Sequence, residues 1–82
     1  MSPSVFDRLA DVIRTTFRLP NAAISRETTA DDVAGWDSLR HAILLMNVER
    51  AFAIRFDPAE VLDLDNVGAL ADVVAARIAQ RG

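Results

Sequence analysis

The 82 residues are 51% hydrophobic, enough to bury one small core but not two, so we expect a single domain over residues 1–82 that is complete as it stands. The absence of Cys excludes disulfides, thiolate metal sites and thiol nucleophiles, and favours a reducing, cytoplasmic compartment. The net charge of -3 and the scattered Arg residues disfavour nucleic-acid binding, and the lack of a signal sequence or a membrane-length apolar run disfavours export and membrane insertion.

The first predicted helix covers residues 3–17. Its apolar side chains recur at the spacing of one helix face, namely Val5, Phe6, Leu9, Val12, Ile13 and Phe17. Ser2 or Ser4 can cap its beginning, and Pro3 suits its first turn. Because the residue before a proline is pushed out of the helical conformation, Pro20 marks its end. We interpret this helix as a packing element.

A long connection, residues 18–37, follows the first helix. A connection of this length in a small domain is usually functional or pinned along its path, and the predicted pins are Ile24, Val33 and Trp36. We expect a single helical turn just after Thr29. Trp36, the only Trp, is either a binding residue or an anchor that fixes the loop against the core, and we favour the anchor.

The second helix, about residues 38–52, has apolar side chains on two sides. On a helical wheel the inner face consists of Leu44, Leu45, Val48, Ala51 and Phe52. The outer stripe, roughly opposite, consists of Leu39, Ile43 and Met46. Because so short a chain has few elements to cover both, we expect the outer stripe to be exposed for a partner, bordered by polar Arg40, Asn47 and Arg50. The alternatives are a centrally buried helix or a dimer contact.

The remaining third of the chain predicts two more helices. Residues 53–56 are too few to form a sheet without a second strand, so we expect an extended connection. Asp57 and Pro58 start a short helix over residues 58–62, and Asn66 caps a last helix over residues 66–80. The predicted fold is therefore all-α, a small four-helix bundle of three main helices and one short one, with a long loop between the first two main helices.

Ser38 is the most informative polar residue. In the first turn of a helix, where backbone N–H groups lack partners and the dipole is positive, a phosphate on its hydroxyl is stabilised. The rival interpretation is that Asp37 and Ser38 are ordinary helix caps. A hydrolase built on these two residues and His41 lacks relay geometry, and we expect a half-buried His41 that makes one hydrogen bond. No metal-ligand spacing is present.

The sequence resembles the acyl carrier protein family over nearly its whole length. The resemblance rests on the motif Gly35-Trp36-Asp37-Ser38-Leu39. It extends to Glu49-Arg50-Ala51-Phe52 at the end of the second helix and to Val67-Gly68-Ala69-Leu70-Ala71-Asp72 in the last. The predicted order of helices, the small size and the acidic composition also agree with this family.

The resemblance implies that Ser38 is esterified with 4'-phosphopantetheine from coenzyme A by a phosphopantetheinyl transferase, with Asp37 and Leu39 as part of the recognised motif. The protein itself then catalyses nothing. The thiol of the arm holds an acyl group as a thioester for acyl-loading and acyl-processing enzymes, such as a synthase, transferase or ligase. In this family the second helix is the docking surface, so the implied contacts are Leu39, Arg40, Ile43, Met46, Asn47 and Arg50.

The second helix departs from the family in its charge. Similar carriers usually place acidic residues along it, whereas this chain has Arg40, Ile43 and Arg50. We therefore expect a dedicated, monomeric carrier of polyketide or other specialised metabolism rather than of general fatty-acid synthesis. A peptidyl or aminoacyl carrier of a nonribosomal pathway is the alternative within the fold. An unmodified helical interaction module is the alternative of another class.

Overall fold

The computed structural model describes residues 4–81, which form four α-helices: α1 (Val5–Phe17), α2 (Ser38–Phe52), α3 (Pro58–Val61) and α4 (Val67–Arg81). A 3-10 turn at Ala30–Asp32 lies in the long loop between α1 and α2, where one helical turn was expected. No strand occurs in these residues, and residues 53–56 form a connection. The all-α prediction is confirmed.

Local side-chain signals set the beginnings of the helices. Ser4 caps α1 by accepting a hydrogen bond from the Asp7 N–H at 3.0 Å, so this helix begins at Val5. Asp57 and Asn66 cap the starts of α3 and α4 in the same way. The other cap candidate, Ser2, and the first-turn candidate, Pro3, lie outside the described residues.

The core lies between α1, α2 and α4. α1 supplies Leu9 and Ile13, and the inner face of α2 supplies Leu44, Val48 and Phe52. The other buried members of the cluster are Ile54, Val61, Val67, Leu70, Ala71 and Val74. α2 therefore packs on one side only, which determines what its other side can do.

The inner face is narrower than predicted, because Ala51 is exposed. Arg8 of α1 lies across this end of α2: its Nη2 donates to the Ala51 carbonyl at 2.9 Å, and its guanidinium carbon lies 4.4 Å from the centre of the Phe52 ring. An arginine whose charged end stays in water thus crosses the edge where the wheel predicted apolar contact.

Candidate functional site

Ser38 is the first residue of α2, where backbone N–H groups lack helical partners. Asp37 is the N-cap: its Oδ1 accepts a hydrogen bond from the Arg40 N–H at 2.9 Å, and its carbonyl accepts one from the His41 N–H at 2.8 Å. Ser38 is exposed, and its hydroxyl has no hydrogen-bond partner within residues 4–81. The capping interpretation therefore accounts for Asp37 but leaves the Ser38 hydroxyl unused.

Trp36 anchors the end of the loop that leads to Ser38. Its ring stacks on Phe17 of α1, with ring centres 5.0 Å apart, and its indole Nε1–H donates to His41 Nδ1 at 3.2 Å. The turn just before it uses Gly35 at φ 86°, a conformation that other residues rarely adopt. These contacts favour the anchor interpretation of Trp36.

His41 makes two side-chain hydrogen bonds, whereas the sequence predicted one. Besides the bond from Trp36, its Nε2 lies 2.8 Å from the Val61 carbonyl of α3. Periodicity placed His41 on the core side but could not show that α3, twenty residues later, would end with a carbonyl beside the ring. The ring therefore joins the loop, α2 and α3.

The middle of the long loop is bound to the first turn of α4. The Gly68 N–H donates to the Arg26 carbonyl, and the Val67 N–H donates to the Thr28 carbonyl, both at 2.8 Å. The approach is so close that a Cβ on Gly68 would lie 2.9 Å from the Arg26 carbonyl oxygen. The Arg26 side chain also pairs with Asp72 at 3.0 Å. These bonds satisfy N–H groups at the start of α4 and hold the loop in place.

Two of the three predicted loop pins are partly buried and one is buried. Val33 is 6% exposed, while Ile24 and Trp36 pack partly against the core. A further pin, Thr28, was missed. It is 7% exposed, and its Oγ1 accepts a hydrogen bond from the Ser25 N–H at 2.8 Å. A buried threonine in a polar loop has no distinctive signal in the sequence.

A cavity of about 390 Å³ opens beside Ser38. Trp36 and His41 form one side of it, and Leu62 and Leu70 contribute apolar surface. A hydroxyl at the mouth of a largely apolar cavity can carry a group that is partly sheltered from water.

The outer stripe of α2 is largely exposed. Leu39 is 69% exposed and Met46 is 55% exposed, while Ile43 between them is half-buried. The alternative of a centrally buried α2 is therefore wrong. Two exposed apolar side chains on one helix face, with Leu39 directly after Ser38, are typical of a surface for transient contacts.

The polar border of the outer stripe is partly different from the prediction. Arg40 and Arg50 are exposed, and neither forms an ion pair within the described chain. Asn47 does not border the stripe: it is half-buried, and its Nδ2 donates to Thr16 Oγ1 of α1 at 2.9 Å. The buried Thr16 hydroxyl draws the amide toward α1.

Within residues 4–81, His41 is not paired with the Ser38 hydroxyl. His41 uses both ring nitrogens for Trp36 and Val61, so neither is directed at the Ser38 hydroxyl as a general base. In the described part of the chain no three His, Asp or Glu residues approach closely enough to hold a metal ion. In the same part, no helix is long and apolar enough to cross a membrane.

Sequence reasoning missed Leu62, which is 77% exposed and lines the cavity beside Ser38. The signal was present, because a helix as short as α3 can bury only one side and turns Val61 inward, leaving its neighbour Leu62 exposed.

At the far end of α2, Arg55 lines a second open cavity of about 740 Å³ together with Met46 and Arg50.

The chain matches a known family and known proteins along most of its length. Residues 7–74 match the family model described as "Phosphopantetheine attachment site". Acyl carrier protein 3 of Ralstonia nicotianae is 30% identical over 81 residues, which are 99% of this chain and 93% of that protein. The solution NMR structure of holo acyl carrier protein from Geobacter metallireducens superposes with a TM-score of 0.86 at 36% identity, covering 94% of this chain and 88% of that one.

Proposed function

Because the chain belongs to the acyl carrier protein family, whose members are non-catalytic carriers with a 4'-phosphopantetheine prosthetic group, we propose that Ser38 is the residue that bears this group. The observation that carries the proposal is the exposed Ser38 hydroxyl, unpartnered at the start of α2 beside a cavity. A phosphopantetheinyl transferase supplies the group from coenzyme A.

The residues around Ser38 fit a phosphodiester. The Arg40 N–H already bonds to Asp37, but within residues 4–81 the N–H groups of Ser38 and Leu39 have no partner. Such N–H groups and the positive end of the helix dipole favour an anion. In the transfer, Ser38 Oγ forms a bond to the phosphorus that bears the pantetheine arm, and the bond from this phosphorus to the bridging oxygen of the pyrophosphate breaks. Adenosine 3',5'-bisphosphate leaves, and the hydroxyl proton passes to a base of the transferase or to water.

The chain supplies no thiol, because it contains no Cys. When bound, the prosthetic group supplies the thiol that holds an acyl group as a thioester. The protein's own contribution is to fix the attachment point and to shelter what is attached. Trp36, His41 and Leu70 line the cavity beside Ser38, which offers partial protection from water.

We propose that the outer stripe of α2 is the docking surface for the transferase and for acyl-loading and acyl-processing enzymes. Leu39 and Met46 are exposed, and Ile43 continues the stripe between them. A few apolar contacts of this size suit weak, rapidly reversed association, which a carrier needs in order to pass between enzymes.

The positive charges beside the outer stripe favour partner enzymes whose docking surfaces are acidic. Arg40 and Arg50 are exposed without ion pairs in the described chain, so their charges are available to a partner. This is the reason for proposing a dedicated carrier of polyketide or other specialised metabolism. In a purified pathway, Arg40→Glu should slow transfer by its own partner enzymes, and unchanged rates would count against this proposal.

The attachment site is tested by intact mass. The protein is incubated with coenzyme A and a broad-specificity phosphopantetheinyl transferase, and it should gain the mass of one phosphopantetheinyl group. Ser38→Ala should gain nothing. Ser4→Ala is the matched control, because Ser4 also lies at a helix start, and it should be modified like the wild type. Modification of Ser38→Ala, or none of the wild type by a transferase active on another carrier, would overturn the proposal.

A further inference from the structure

His41 has a defined protonation state in this fold. The Val61 carbonyl can only accept a hydrogen bond, so His41 Nε2, at 2.8 Å from it, must carry a proton. The Trp36 indole N–H can only donate, so His41 Nδ1, at 3.2 Å, must carry none. The two neighbours together select the neutral ring with its proton on Nε2.

A second proton on this ring cannot be accommodated by the same contacts. It would add to Nδ1, the atom that accepts from Trp36, and two N–H groups would then face each other. The contact with Val61 is unaffected, because Nε2 donates in both states. Protonation therefore acts selectively on the bond between α2 and the loop.

The hydrogen bond from the Trp36 indole to His41 Nδ1 holds Trp36, which lies two positions before Ser38. Trp36 is also held by stacking on Phe17 of α1, by a ring contact with His41 at 6.0 Å between centres, and by its backbone N–H, which donates to the Val33 carbonyl at 3.3 Å. Both Trp36 and His41 line the cavity at Ser38. Loss of the bond frees the indole on the side that faces α2. The loop before Ser38 and the wall of the cavity are then less firmly held.

Three charged groups lie near His41. Asp37 of the loop and Asp63, which follows α3, line the same cavity as the ring. Arg40 precedes it on α2. The α4 residues that line this cavity, Val67 and Leu70, bring no charge. Protonation of His41 therefore adds a positive charge to a cavity whose charged lining groups in the described chain are the two carboxylates.

We propose that His41 is a proton-sensitive positioning residue, which in its neutral form holds Trp36 and the loop before Ser38 and on protonation releases them. The consequence for the arm rests on the proposed attachment at Ser38, whereas the release of Trp36 does not. The test is therefore a comparison of the neutral with the protonated ring.

The release is measured by NMR on the full-length apo protein labelled with ¹⁵N. Between about pH 8 and about pH 5, the indole N–H resonance of Trp36 should follow the same curve as the His41 ring protons. Its protection factor, which compares its exchange rate with that of a free indole at the same pH, should fall about fivefold, the factor expected for loss of an average hydrogen bond. An indole resonance that stays fixed while His41 titrates would overturn the proposal.

Two variants separate a proton switch from a merely structural role. His41→Gln retains an acceptor and a donor but does not titrate, so its Trp36 indole resonance should not change with pH over this range. In the wild type, the backbone amide resonance of Ser38 should follow the same pH curve as the Trp36 indole. Trp36→Phe keeps a ring against Phe17 but removes the indole donor, so this pH dependence of the Ser38 amide should be lost. The wild-type pH curve in His41→Gln, or an unchanged Ser38 curve in Trp36→Phe, would overturn the proposal.

The effect on the site is measured by the rate at which a transferase modifies Ser38. The wild-type rate should decrease on acidification several-fold more than the rate of His41→Gln, since the loss of the enzyme's own activity is common to both. Equal pH profiles would mean that release of Trp36 does not control attachment. Failure of any modification at Ser38 would overturn the proposed function but leave the indole measurement to decide about His41.

Discussion

The inner face and the outer stripe of α2 have similar composition but opposite surroundings. Leu44 and Val48 on the inner face are fully buried, whereas Leu39 and Met46 on the outer stripe are 69% and 55% exposed. Burying a leucine side chain stabilises a fold by roughly 1.5–3 kcal/mol, and only the inner face obtains this contribution. The helix thus uses one side for stability and leaves the other exposed for the proposed contacts with partner enzymes.

The position of α2 in the bundle is the reason for this difference. Its inner face belongs to one core cluster with side chains of α1 and α4, and the remaining helix, α3, has only four residues. No element of residues 4–81 is left to cover Leu39 and Met46. The outer stripe is therefore exposed because α3, the helix between α2 and α4, is too short to cover it.

The largest expected effect is on the inner face. Leu44→Ala should lower the free energy of unfolding by about 2–5 kcal/mol, because it removes a fully buried side chain and leaves a cavity. Urea unfolding followed by Trp36 fluorescence measures it. Met46→Ala is the matched control and should change the stability by less than about 0.5 kcal/mol. Equal losses in the two variants would mean that the two sides of α2 do not differ.

A smaller loss of stability is expected at Asn47, which lies between the inner face and the outer stripe of α2. Asn47→Ala should cost about 1–2 kcal/mol, because it removes the partner of the buried Thr16 hydroxyl. Arg50→Ala, at an exposed position with no ion pair in the described chain, should cost less than about 0.5 kcal/mol.

A double-mutant cycle tests whether the loss of stability in Asn47→Ala comes from the hydrogen bond between Asn47 and Thr16. Combining Asn47→Ala with Thr16→Val should show a coupling of about 1 kcal/mol, which independent positions would not show. If Asn47→Ala were neutral for stability and instead slowed transfer by partner enzymes, the sequence-based place of Asn47 beside the outer stripe would be correct.

Much of the fold could be predicted because its signals are local. The caps Ser4, Asp37, Asp57 and Asn66 each bond to a backbone N–H two or three residues ahead, so they are readable from the sequence alone. The alternation of buried and exposed residues along α2 followed from helical periodicity. These features located both Ser38 and the outer stripe.

The errors concern contacts between distant parts of the chain. Asn47 bonds to Thr16 and His41 to Val61, pairs separated by 31 and 20 residues. Ala51 is exposed, and its carbonyl accepts a hydrogen bond from Arg8, 43 residues earlier. A helical wheel gives the direction of each side chain but not the neighbour it meets, because relative helix positions follow from the packing of the whole core.

Two substitutions of Asp37, the N-cap of α2, distinguish its contribution to stability from its proposed role in recognition by the transferase. Asp37→Ala should cost about 1 kcal/mol, because the Arg40 N–H loses its acceptor. Asp37→Asn keeps a side-chain acceptor and should cost only a few tenths of that. If the carboxylate is part of the motif that the transferase recognises, Asp37→Asn should still slow modification of Ser38. A normal rate for Asp37→Asn would limit Asp37 to capping.

The smallest effect on stability is expected at Leu39, where the proposed effect on function is large. Leu39→Ala should change the free energy of unfolding by less than about 0.5 kcal/mol, because the side chain is 69% exposed. Its kcat/KM as a substrate of the transferase should decrease several-fold, because the lost apolar contact lies directly beside Ser38.

Leu62→Ala is the matched control for Leu39, because Leu62 has the same side chain and is 77% exposed but lies outside α2. If docking uses the outer stripe, the decrease in kcat/KM should be clearly smaller for Leu62→Ala. Equal decreases would instead indicate contact around the mouth of the cavity, which Leu62 lines, and would remove the functional difference between the two sides of α2. Stability measured in the same samples excludes partial unfolding as the cause.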